Sequence, residues 1–74
     1  MDIQWKELYT PQLEPREARG ILRNRGFQAR VVIEGEMMLI EEHQFNKAVS
    51  TLNNAGFMTR QGETVDAAYV DSIA

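Results

Sequence analysis

No cysteine occurs among the 74 residues. That absence excludes disulfides, thiolate catalysis and cysteine-held zinc or iron–sulfur centres. Histidine occurs once, at His43, and serine only at Ser50 and Ser72, neither in a nucleophile-elbow context. Glycine-rich phosphate loops of the Gly-x-Gly-x-x-Gly or Walker kind are also missing. A domain this small rarely encloses a pocket that shifts the pKa of an acid or base. We therefore expect no enzyme activity, no catalytic residue, no metal and no cofactor. Long apolar runs are scarce too. Met37-Met38-Leu39-Ile40 is too short to span a bilayer, and Met1 to Lys6 does not read as a secretory leader. The expectation is a cytoplasmic protein with no membrane partner. A net charge of −3 is too mild for a DNA mimic and gives no overall attraction to nucleic acid.

What the chain does contain is a repeat. Ala18, Leu22, Asn24, Gly26, Phe27 and Arg30 recur thirty residues later as Ala48, Leu52, Asn54, Gly56, Phe57 and Arg60. Each copy reads as an amphipathic helix, a glycine stop and a strand opened by phenylalanine. A glycine just past a helix takes the left-handed conformation, and the next apolar residue packs back on the last turn. Such capping accounts for Leu, Gly and Phe. It does not require the paired Asn and Arg, so duplication and convergence both fit. An apolar content of 43% with 26% charged residues argues against disorder.

Weak alternation over Ile3 to Tyr9 predicts a first strand. Thr10 to Glu14 is a connection, and Pro15 suits the first position of a helix striped by Ala18, Ile21 and Leu22. A second strand is expected from Phe27 to Ile33. Phe27, Ala29, Val31 and Ile33 lie on one face, and Gln28, Arg30 and Val32 on the other. Glu34-Gly35 suits a two-residue hairpin turn. The third strand, Glu36 to Glu41, is apolar on both faces, with Met37 and Leu39 opposite Met38 and Ile40. A second helix spans about His43 to Ala55, and a short fourth strand runs from Phe57 to Gln61, ended by Gly62. Thr64 would cap a last helix, whose buried stripe is Val65, Ala68, Tyr69 and Ile73. The order β-α-β-β-α-β plus a helix predicts a ferredoxin-like α+β two-layer sandwich, a single domain over 1–74 with a four-stranded antiparallel sheet.

Function could sit in three places. The open sheet face would carry Val32 and one apolar pair of the third strand, rimmed by Arg30. We assign Met38 and Ile40 as that pair. Val32, Met38, Ile40 and Arg30 are then candidate contacts for a protein partner or a second copy. The competing expectation is that the last helix folds over this face. A second place is the arginine stripe. Arg16, Arg19 and Arg23 share a helical face, with Arg25 and Arg30 near. Arginine suits phosphate and carboxylate. The stripe reads as a solvated face, an acidic-protein contact or a nucleic-acid contact through Arg16, Arg19, Arg23 and Arg30. The sheet lacks the paired aromatics with which an RRM stacks bases, and Trp5 reads as core. The third place is the acidic set Glu34, Glu36, Glu41 and Glu42 with His43. Neighbours on a strand point to opposite faces, so the set is poor ligand geometry and reads as solvated strand ends.

The succession from Ala18 to Arg60, carried by Leu22, Gly26, Phe27, Ala29, Leu52, Gly56 and Phe57, is similar to SPOR peptidoglycan-binding repeats. It also resembles, more distantly, the ligand-binding ACT domains. The SPOR resemblance implies export to the periplasm, whereas Met1 to Lys6 is not expected to act as a leader. The ACT resemblance implies a glycine after the first strand, where this chain has Pro11 and Pro15. No family is assigned on these residues. The expected function is a non-enzymatic protein-interaction module, a small regulator or inhibitor of the kind found as bacterial or phage accessory proteins, by analogy of fold. The alternative is a nucleic-acid-binding module.

Overall fold

A computed structural model describes residues 3–33 and 35–73. The chain runs β1 (Gln4–Tyr9), α1 (Pro15–Asn24), β2 (Ala29–Val32), β3 (Met37–Glu41), a 3-10 turn (Glu42–Gln44), α2 (Phe45–Asn54), β4 (Arg60–Asp66) and α3 (Ala67–Ile73). It is a small α+β unit. Every strand pair is antiparallel, in the order β2-β3-β1-β4, and the described residues form three α-helices.

Local chemistry sets the helix limits. Pro15 occupies the first turn of α1, and the Glu14 N–H donates to Glu17 Oε1 at 3.3 Å. At the other end the Gly26 N–H donates to the Arg23 carbonyl at 3.0 Å and the Phe27 N–H to the Leu22 carbonyl at 3.1 Å. Helix α2 closes identically, Gly56 to Asn53 and Phe57 to Leu52, both at 3.0 Å. With φ of 87° and 94° at Gly26 and Gly56, both ends are Schellman caps.

The repeat has a spatial counterpart that its letters do not reveal. Beyond the first cap, the Gln28 N–H donates to Gln44 Oε1 at 2.9 Å. Beyond the second, the Met58 N–H donates to Gln12 Oε1 at 2.7 Å. Each segment after a glycine stop is thus tethered by a glutamine from the loop before the other repeat's helix. These tethers explain why β2 and β4 open at Ala29 and Arg60 rather than at the two phenylalanines. The Phe N–H groups cap helices, and the next N–H groups bind glutamine.

Three further expectations are corrected. Ile33 is a turn residue, with φ of 54°, and the Glu36 N–H donates to its carbonyl at 3.0 Å. Gly35 supplies positive φ in that turn, at 92°, while Glu34 lies outside the described residues. Gly62 does not end β4. Lys6 pairs with Thr64 but Leu8 with Gln61, so two steps on β1 match three on β4. The extra residue is a bulge at Gly62–Glu63. A β-carbon on Gly62 would lie 2.8 Å from Glu7 Cβ, so the glycine admits the Glu7 side chain. Thr64, paired to Lys6, therefore caps nothing, and α3 starts at Ala67. The later start rotates its faces. Val70 is buried, Ala68 and Tyr69 are exposed, Val65 is a strand residue, and the Ile73 side chain lies outside those described.

The sheet separates two cores. Toward α1 and α2 lie Leu8, Ala29, Met38 and Ile40 with Ala18, Leu22, Phe45, Ala48 and Leu52. On the opposite face Trp5, Val32 and Leu39 gather around Val70 of α3.

Candidate interaction surfaces

Strand alternation decides what the outer sheet face carries. Opposed pairs share a face, so Val32 with Met37, Arg30 with Leu39, and Leu39 with Glu7 all point toward α3. Val31 with Met38 and Ala29 with Ile40 point toward α1 and α2. Met38 and Ile40, at 1% and 0% exposure, are therefore main-core residues and not part of the outer face. The pair that does lie there is Met37 and Leu39. Both faces of β3 are apolar because both are covered. Val32 is on the expected face but only 4% exposed, since α3 lies over it. Arg30, half-buried, stands over the Trp5 ring at 5.7 Å.

Beside α3, this face ends in a polar group. Glu7 is buried despite its charge, in the room left by Gly62. The nearby Glu7 carboxylate, as a hydrogen-bond acceptor for the Tyr9 phenol, raises the phenol pKa above its ordinary value of 10.0. The Arg60 guanidinium stands 5.1 Å from the Tyr9 ring and opposes that rise in part. Nothing in the pattern of residues 60–63 announced this group. The signal was a glycine inside a strand, which marks a bulge or a close approach.

The arginine stripe is divided by the sheet. Arg16, Arg19 and Arg23 lie on α1, and Arg25 is its C-cap. Arg30 alternates with Ala29 and Val31, so it lies on the other side and joins no surface with them. The Arg16 guanidinium covers the hairpin turn, 3.4 Å from where a Gly35 β-carbon would be. Among the described residues, no carboxylate forms an ion pair with Arg16, Arg19, Arg23 or Arg25. Beside them α2 carries Lys47 and no acid. Four of the chain's eight basic residues are thus concentrated on one helix of a chain of net charge −3.

In the acidic set, His43 Nε2 lies 3.4 Å from Glu41 Oε2, an ion pair only when the imidazole is protonated. Among the described residues no three metal-ligating groups gather, and no helix is long and apolar enough to cross a membrane. No family model matches the chain, and no curated protein or solved structure does either.

Proposed function

We propose that the chain is a non-enzymatic interaction module, a small regulator or inhibitor that docks an acidic protein surface on the arginine face of α1. One observation carries this reading: Arg16, Arg19, Arg23 and Arg25 have no carboxylate partner among the described residues, on an otherwise acidic chain. Unpaired guanidiniums keep their full capacity for bidentate contacts. The surface first expected, the sheet face, contributes less, because α3 and the main core take up Val32, Met38 and Ile40. A ferredoxin-like assignment of the sandwich belongs to the same reading. It is supported by the order β2-β3-β1-β4 with α1 and α2 packed on one sheet face.

A nucleic-acid partner is the second reading, favoured by the same guanidiniums. Affinity capture from source-cell lysate, with and without nuclease, separates the two. A stoichiometric protein that survives nuclease and is lost in the double variant Arg19→Glu/Arg23→Glu supports the first. Partners that vanish with nuclease support the second. Capture unaffected by the double variant removes both.

A further inference from the structure

We propose that the sheet face under α3 is a docking site for a basic amphipathic helix of a protein partner, and that α3 is the resident helix which that partner displaces. Helix α3 has seven residues. Isolated helices shorter than about 12–15 residues are marginal in water, so α3 is helical because it is docked. Among the described side chains of α3, Val70 is fully buried between Trp5, Val32 and Leu39, and Ala67 packs on the same cluster. Ala68, Tyr69 and Ser72 are exposed, and the Ser72 hydroxyl donates only within the helix, to the Tyr69 carbonyl. The tethers to β1 lie at the start. The Ala67 N–H donates to the Ile3 carbonyl, and Gln4 Nε2 to Asp66 Oδ1. From Ala67 onward the helix can lift while β4 stays paired, a local opening of the low-stability kind.

The resident helix also defines its replacement. The cradle already accepts a branched aliphatic side chain of a helix, that of Val70. Alongside α3 runs a groove lined by Glu7, Glu63 and Asp66, with Met37 and Tyr69, and its lining includes no basic residue. Helix α3 contains no lysine or arginine. A longer helix holds its own helicity, and lysines beside its apolar stripe would pair with these carboxylates. It therefore has two advantages over α3.

The test uses the full chain and two synthetic amphipathic peptides of about 15 residues, one of Leu and Lys and one of Leu and Glu. Trp5, the single tryptophan, reports the cradle. The Leu/Lys peptide should shift Trp5 emission and strip hydrogen-exchange protection from α3 amides while β3 amides stay protected. Val70→Ser, which weakens the resident helix, should tighten binding several-fold, and Glu63→Lys/Asp66→Lys should weaken it. Arg19→Glu/Arg23→Glu should leave it unchanged, which separates this site from the α1 face. Binding that leaves α3 protected, that ignores Val70→Ser, or that is equal for the Leu/Glu peptide overturns the proposal. Should Val70→Ser lose its fold by circular dichroism, exchange in the unaltered chain decides alone.

Discussion

Added methyl groups at four glycines have different consequences, each traceable to backbone geometry. Gly20 lies inside α1 with nothing within 4 Å of a β-carbon. Gly20→Ala should stabilise the chain by about 0.5–1 kcal/mol, through lost unfolded-state entropy. Gly26 and Gly56 have the same open space but positive φ. Their Ala variants should each cost about 1 kcal/mol. At Gly62 the new methyl meets Glu7 instead, and overpacking costs about 1–3 kcal/mol. Urea unfolding of the four variants checks the signs. Tyr9 offers a pH test. The fold favours its protonated phenol, so this contribution is present below about pH 10 and is lost as pH rises through the higher folded-state value. Glu7→Gln, in a Tyr69→Phe background, should move the phenol's absorbance titration down toward 10.0.

At the scale of elements, the two cores differ in how much structure depends on them. Leu22 is fully buried among α1, α2 and the sheet, and Leu22→Ala should cost about 2–5 kcal/mol and lower the whole unfolding midpoint. Val70 packs one short helix on the sheet, so Val70→Ala should free the α3 amides to exchange while those of β3 remain protected. The elements were legible where the signal was local. Pro15, Gly26 and Gly56 act on their own turns, and α1 and α2 fall close to where periodicity places them. The β4–α3 boundary was misread because Gly62 and Thr64 carry ordinary stop and cap signals. Pairing with β1 overrode them: Lys6 holds Thr64 in the ladder, and Glu7 occupies the space that makes Gly62 a bulge. Such a contact joins residues far apart in sequence, so no window of sequence contains it.

For the whole molecule, charge placement outweighs net charge. The arginines of α1, which have no carboxylate partner among the described residues, predict that binding to an acidic partner weakens as salt rises from 50 to 300 mM, on the order of the Debye length shrinking from above 10 Å to below 8 Å. Arg19→Glu/Arg23→Glu should abolish that dependence together with the binding, measured by calorimetry or fluorescence anisotropy. A chain of 74 residues buries only about 60% of its unfolded surface, so a bound partner should also raise its melting temperature measurably. The sequence by itself determined the α+β class, the paired helix caps and the stripe on α1, because each depends on neighbours within a few positions. Only the tertiary structure decided that Met38 and Ile40 face the helices, that Arg30 stands apart from the other arginines, and that α3 closes over Trp5. The period of two in β3 is apolar in both phases, so its pattern is the same whichever face is inward. The choice was made by what packs on each side of the sheet.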